Sequence, residues 1–208
     1  MPSGTLLTMT STPAITGPDG LARCPWGATP EDYREYHDTE WGREVRGDDA
    51  LFERLSLEAF QSGLSWLTIL RRREGFRAAF AGFAITKVAA YTEADVARLL
   101  ADPGIIRNRL KIEATVANAR VAAAWAPGEL TDLIWSHAPA DPHRQAPVGT
   151  ADIPATTPES AALAAALKKR GFRFVGPTTA YALMQACGLV NDHLADCHAR
   201  AAVAAGRG

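Results

Sequence analysis

The chain lacks any apolar run approaching the roughly 20 residues that a membrane-spanning helix needs. Its first residues, Met1-Pro2-Ser3-Gly4-Thr5, lack the basic start of a secretory signal. Cysteine is scarce: three in 208 residues, an odd number and too few for a disulfide framework. These absences point to a cytoplasmic protein, where cysteines serve metals or catalysis more often than bridges. Net charge is also nearly absent, at -1, so the whole molecule is no electrostatic magnet for nucleic acid. Any such contact would come from a local basic patch, which the total charge hides. No period-2 alternation and no internal repeat are found, which removes the strand signal. What is there is an ordinary globular composition, 47% hydrophobic and 22% charged, long enough for one sizeable core or two small lobes.

Helical signals dominate, and an all-α chain is predicted. Residues 1–20, rich in Thr, Ser, Pro and Gly, are read as a flexible leader, residues 21–200 as the folded domain, and residues 201–208 as a flexible tail. Thr92-Glu93-Ala94-Asp95 is similar to a capping box ahead of Val96, Leu99 and Leu100, and Asp102-Pro103-Gly104 ends that helix. Ile105 to Trp125 reads as helical up to Pro127-Gly128. Residues 138–157 carry four of the thirteen prolines and no clear period, so they read as a long connection. Thr157-Pro158 opens another helix with Pro at its first position, and Gly171 stops it. Pro177 to Ala186 forms the next, closed by Gly188.

A carboxylate sits where a helix should be apolar. Read as a helix, Asp49 to Gln61 places Leu51, Leu55 and Glu58 on one face, with Phe52 and Ala59 beside them. Glu53 and Arg54 then point to water. A charge on the buried face must be paired, protonated or matched to a cationic ligand. Gly63-Leu64-Ser65-Trp66 follows at once and brings an aromatic near Glu58. A buried acid beside aromatic rings suits a flat, positively charged ring.

Two other constellations carry chemistry. His193 and Cys197 are four apart, so on a helix they share one face. Cys24 and His37 supply a second, looser pair far upstream. Two Cys and two His make a tetrahedral zinc set filled entirely by protein. Cys187 and His198 compete for places in it, and each pair also has an ordinary reading as a buried cysteine and a core or capping histidine. The other constellation runs from Lys168 to Thr179. A helix ends in Lys168, Lys169 and Arg170, a turn bracketed by Gly171 and Gly176 carries Arg173, and a second helix opens with Pro177, Thr178 and Thr179. This is a helix–hairpin–helix plan: glycines let backbone approach a phosphate, and the N–H groups opening the second helix point at it. The alternative is an ordinary helical hairpin with a solvated basic cap.

Taken together, the residues resemble the 3-methyladenine DNA glycosylase I family, a branch of the helix–hairpin–helix glycosylases. The strings that carry the resemblance are Arg23-Cys24-Pro25-Trp26, Tyr36-His37-Asp38-Thr39-Glu40-Trp41-Gly42 and Leu57-Glu58-Ala59-Phe60-Gln61-Ser62-Gly63-Leu64-Ser65-Trp66. Gly104 to Ile112, Leu167 to Gly176 and Met184 to His193 continue it, so that it spans roughly residues 22–198. The resemblance implies that Cys24, His37, His193 and Cys197 hold one structural zinc tying the N-terminal segment to a C-terminal helix. It implies a base pocket built on Glu58, Trp66 and Tyr36, with Tyr33 and Trp41 nearby, and Glu58 as the catalytic carboxylate. Trp26 and Trp125 are read as core.

The implied activity is release of 3-methyladenine from double-stranded alkylated DNA by a monomer with no membrane association. Methylation at N3 puts positive charge on adenine and weakens its glycosidic bond, and the base must leave the stack to react. Trp66 and Tyr36 are expected to sandwich the cationic ring, and Glu58 to accept from its exocyclic amine. Leu64 is the expected wedge into the gap left in the DNA. Lys168, Lys169, Arg170, Gly171, Arg173, Gly176 and Thr178 are expected to hold phosphates. Most members of the wider superfamily place a catalytic aspartate near Asn191-Asp192-His193, and the resemblance implies that this branch does not use it. Without a lysine in the pocket motifs, water is the expected nucleophile. A non-catalytic, zinc-stabilised helix–hairpin–helix DNA-binding protein is the rival reading, and it leaves Glu58 with Trp66 unexplained. A zinc hydrolase would need an open three-ligand site.

Overall fold

The computed structural model describes residues 11–140 and 145–206. The chain enters through two short antiparallel strands, β1 (Ile15–Thr16) and β2 (Ala22–Arg23). Eleven α-helices follow among the described residues: α1 (Glu31–Thr39), α2 (Asp48–Gln61), α3 (Trp66–Leu70), α4 (Arg73–Ala79), α5 (Ile85–Ala89), α6 (Glu93–Ala101), α7 (Arg109–Ala123), α8 (Glu129–Trp135), α9 (Pro158–Lys169), α10 (Pro177–Ala186) and α11 (Ala199–Ala205).

Helix α2 is the axis of the core. Leu51, Phe52, Leu55, Leu57 and Phe60 are all buried on it, and it packs against α3, α5, α7, α8 and α10. Each such side chain taken from water contributes about 1.5–3 kcal/mol. Phe60 meets Phe76 of α4 at 4.6 Å, and Phe80 stacks on Phe83 at 5.3 Å beyond it. The acidic start of α2 also organises its neighbours. Asp48 accepts from the backbone N–H groups of Gly128 and Thr131 at the start of α8, and Asp49 accepts from Ile85 N–H at the start of α5.

Local sequence punctuation sets most helix ends. Thr92 and Asp95 form the capping box of α6, and Thr157 and Ser160 cap α9 with Pro158 at its first position. Helix α7 starts later than the apolar pattern from Ile105 predicts. Asn108 accepts from Lys111 N–H, which caps the helix and leaves residues 105–108 outside it. The expected leader lies outside the described residues up to residue 10. Beyond that, Thr12 pairs with Thr150 through both backbone and side chain, and Asp19 bonds Arg23 at 2.8 Å. Residues 201–205, placed in the expected tail, continue α11 and bury Val203; residues 207–208 lie outside the described residues.

Candidate active site and metal centre

Cys24, at the end of β2, His37 on α1, and His193 and Cys197 bring their ligand atoms within 4.8 Å of one another, and all four are buried. His193 and Cys197 do not lie on a helix, as their spacing predicts. They sit in the irregular segment between α10 and α11. Gly188, at φ 78°, ends α10, and a turn closed by Cys197 N–H on Leu194 C=O then brings both ligands inward. Cys197 Sγ lies 3.5 Å from both His37 Nε2 and His193 Nδ1, Cys24 Sγ lies 3.9 Å from His193 Nδ1, and the two nitrogens are 3.2 Å apart. A tetrahedron with metal–sulfur bonds of about 2.3 Å and metal–nitrogen bonds of about 2.0 Å has edges of roughly 3.5 Å.

The surroundings fix the tautomers. His37 Nδ1 bonds the Asp38 carboxylate at 2.7 Å, and His193 Nε2 bonds the Trp41 carbonyl at 3.1 Å. Each ring therefore donates outward and turns a lone pair inward, as metal-binding histidines ordinarily do. Two facing lone pairs and two sulfurs in a buried space need a cation, so the donor set fits a metal. Of the competing ligands, His198 bonds Asp38 at 3.0 Å, and Cys187 is a core thiol that burial pushes up to about 12.

Next to this cluster lies a cavity of about 310 Å³ lined by Trp26, Tyr33, Tyr36, Trp41, Glu58, Gln61, Trp66, Thr150, Ile153, Ala182 and Gln185. It contains every pocket residue expected from sequence. Helix α1 brings Tyr33 and Tyr36, α2 brings Glu58, and Trp66 opens α3, where Ser65 caps the helix. Glu58 is 6% exposed and makes no hydrogen bond or ion pair among the described residues. Burial pushes its carboxyl up to about 8, against an opposing pull from Arg54. Burial likewise raises Tyr36 and Tyr33 above the usual phenol range. Trp66 Nε1 is buried without a partner among the described residues.

Three sequence readings change here. Tyr36 and Trp66 cannot sandwich a base, because their centroids lie 5.4 Å apart with planes tilted by 43°. Two stacked contacts need about 7 Å, so the pair touches directly and forms one wall. Trp26 is not core: it is half-buried, lines the cavity and meets Trp41 at 4.9 Å and Tyr33 at 5.0 Å. Its place two residues after Cys24 was the available signal. Glu53 and Arg54 do not face open water either. Arg77 bonds Glu53 at 2.8 Å and Glu40 bonds Arg54 at 3.2 Å, because α2 is central and is covered on that side as well. Gln61, Thr150, Ile153, Ala182 and Gln185 gave no sequence signal beyond Gln61 lying three residues after Glu58.

The helix–hairpin–helix element is α9, the turn over residues 170–176, and α10. Asn118 of α7 grips the turn, donating to Arg173 C=O at 3.0 Å and accepting from Arg173 N–H at 2.7 Å. Gly171 takes φ 100°, which favours glycine. Lys168, Lys169, Arg173, Gly176 and Thr178 are exposed. Arg170 is engaged: its guanidinium lies 4.2 Å over the Trp125 ring and pairs with Glu129. Leu64, 41% exposed, projects from the turn between α2 and α3. Behind that turn, Lys111 Nζ donates to the carbonyls of Phe60 at 2.9 Å and Ser62 at 2.6 Å. Buried Asp192 accepts from Tyr181 and Gln185 and does not line the cavity.

The family model for methyladenine glycosylase matches residues 26–201. DNA-3-methyladenine glycosylase 1 of Escherichia coli (strain K12) is 47% identical over 179 residues, covering 85% of this chain and 96% of that protein. A crystal structure of a 3-methyladenine DNA glycosylase I superposes with a TM-score of 0.81 at 46% identity, over 85% of this chain and 98% of that one. A 3-methyladenine DNA glycosylase I from Staphylococcus aureus, solved for its recognition of 3-methyladenine, superposes with a TM-score of 0.78 at 35% identity, over 86% and 96%.

Proposed function

This chain belongs to the methyladenine glycosylase family, and we propose that it releases 3-methyladenine from alkylated double-stranded DNA as a monofunctional, monomeric base-excision enzyme of the cytoplasm. One observation carries the reading: a buried carboxyl without a partner among the described residues, set into a cavity of three tryptophans and two tyrosines. Such a group is costly to ionise alone and is relieved by a cation. N3-methylated adenine in DNA is a flat cation with an exocyclic amine. The aromatic wall contributes about 1–2 kcal/mol per ring toward the cation, and an unmethylated adenine gains neither this nor the attraction to Glu58.

The reaction is a glycosidic displacement. The C1′–N9 bond breaks and its electron pair moves onto the base, neutralising the positive ring. The sugar passes through an oxocarbenium-like state, and water adds its oxygen to C1′ and loses a proton. Among the described residues no lysine lines the cavity to form a Schiff base, so an abasic site and free base are the expected products. Glu58 holds the amine edge, while the rings exclude water from the base. Leu64 fills the gap in the duplex, and the hairpin with the start of α10 grips the flanking backbone. Gly176 and Ala182 are six residues apart on that helix, so the phosphate grip and the pocket wall are separated by about 9 Å of axial rise.

Cys24, His37, His193 and Cys197 would hold one zinc, which would join the N-terminal segment to the segment preceding α11. With four protein ligands the metal would supply cross-linking and no chemistry. The test is direct: duplex DNA treated with a methylating agent is incubated with the protein and the released bases are separated. Release of 3-methyladenine with intact, alkali-sensitive strands is the expected result. A protein that binds this DNA and frees no base would be the non-catalytic alternative.

A further inference from the structure

We propose that Gln185 is a second reader of the flipped base, held in one orientation by Asp192. The inference rests on the glycosylase reading of the cavity and adds a determinant of which base it takes. Gln185 lines the cavity together with Glu58, but from a different helix, α10. Its side-chain amide meets Asp192 Oδ2 at 2.9 Å, and the same oxygen receives the Tyr181 hydroxyl at 2.5 Å. Asp192 is fully buried, and Tyr181 is buried one turn before Gln185 on the same face of α10.

The amide orientation follows from donor and acceptor types. A carboxylate oxygen already accepting from a hydroxyl cannot also face an amide oxygen, so the NH2 end of Gln185 must point at Asp192. Its Oε1 is then committed to the other direction, and among the described residues it has no partner. Beside the Gln61 amide, the tyrosine hydroxyls and the Trp66 indole N–H, the cavity thus holds two acceptors that face it from two different helices: the Glu58 carboxylate on α2 and Gln185 Oε1 on α10.

Two acceptors match an exocyclic amine, which has two hydrogens to give. Adenine carries such an amine at position 6. Guanine carries an oxygen there, which would meet acceptor against acceptor. A pair of groups committed to receiving hydrogens disfavours the analogue that cannot donate to them. Gln185 therefore sets selectivity between 3-methyladenine and 3-methylguanine, and Asp192 is a positioning residue that acts through Gln185. An unanchored glutamine would rotate its amide and offer either end.

The experiment measures single-turnover release of both bases from methylated duplex DNA at saturating protein. Wild type is compared with Gln185→Met, Asp192→Asn and the double variant, with metal content and melting temperature recorded for each. Gln185→Met should slow 3-methyladenine release about tenfold while leaving 3-methylguanine release equal or faster, so the ratio of the two falls. Asp192→Asn should lower the same ratio, and should lower it no further once Gln185 is methionine. Equal slowing of both bases by Gln185→Met, or no change, overturns the proposal. A ratio loss from Asp192→Asn that persists in the Gln185→Met background overturns the positioning role. If Asp192→Asn does not fold, the Gln185→Met ratio decides alone. A wild type that frees neither base overturns the glycosylase reading, which is a separate result from an unchanged ratio.

Discussion

His37 Nε2 and His193 Nδ1 face each other at 3.2 Å, and as neutral rings neither can donate to the other. Their protons are committed outward, to Asp38 and to the Trp41 carbonyl. With Cys24 and Cys197 completing the group, a metal-free protein would hold four electron-rich atoms together in a buried space. One zinc per chain is therefore expected by metal analysis. Cys197→Ser should lower stability by at least about 3 kcal/mol, or roughly 6–12 °C in melting temperature for a chain of this size. Glu58 is not a ligand, so the variant's residual folded fraction should keep its base selectivity. A zinc-free protein that melts at the same temperature would refute the structural role.

Glu58→Gln should uncouple stability from pH. In the folded chain Glu58 sits at about 8, above its ordinary 4.5. The folded state binds the extra proton between those values, so this group's contribution to stability falls as pH rises from about 4.5 to about 8. Glutamine removes the cost. The variant should be the more stable protein at pH 8, by an amount on the order of 3–5 kcal/mol, and the difference should fade as pH drops below about 4.5. Denaturant midpoints across pH read this directly.

Activity should move the opposite way. Attraction of a cationic base needs the carboxylate, so kcat/KM for 3-methyladenine should climb as pH rises toward 8 in the wild type. In Glu58→Gln that limb should be flat, with a loss on the order of 100-fold at pH 8. A wild-type profile flat from pH 6 to 8 would mean that Glu58 is already ionised.

The sequence showed Glu58 because a carboxylate breaks an apolar helical period, and that break survives any arrangement of the rest. It showed α9 and α10 because Pro158, Gly171, Pro177 and Gly188 punctuate them. Four segments far apart in sequence build the cavity wall, and no local period marks such a wall. Trp26 looked like core for that reason, and Gln185 was one more polar residue on a helix. The tilt between Tyr36 and Trp66 depends on how α1 meets α3, which no spacing encodes. His193 and Cys197 had helical spacing without being helical, because a turn at Leu194 reproduces the same proximity.

Lys111 should support the Leu64 turn. Its ammonium reaches from α7 to the end of α2 and holds the carbonyls of Phe60 and Ser62. Lys111→Met keeps the volume and orphans both acceptors, at about 1–3 kcal/mol. Leu64→Ala touches an exposed side chain and should leave the melting temperature unchanged. Both variants should slow release from duplex DNA, whereas release from a single strand, which has no stacked partner to displace, should suffer less. Equal slowing on both substrates would remove Leu64 from the wedge role.

The hairpin gives the last prediction. Lys168 and Lys169 are exposed and make no ion pair among the described residues, whereas Arg170 is already committed to Glu129 and Trp125. Neutralising both lysines should weaken binding to any duplex equally, whatever its sequence. It should also flatten the slope of log affinity against log salt by up to roughly one unit for each phosphate no longer held. Arg170→Ala should instead cost stability, because it removes a stacked guanidinium from Trp125. Gly176→Val separates the two kinds of effect. At Gly176 φ is −97° and an added Cβ meets nothing within 4 Å, so the free protein accommodates the branch. Its melting temperature should hold while DNA affinity drops, because the branch occupies the space through which a phosphate reaches the N–H groups of Thr178 and Thr179. Unchanged affinity in both the lysine and the glycine variants would make the basic end of α9 a solvated cap. The grip on DNA would then fall to Arg107, exposed and without an ion pair among the described residues, since Arg109 is held by Glu93 and Glu113.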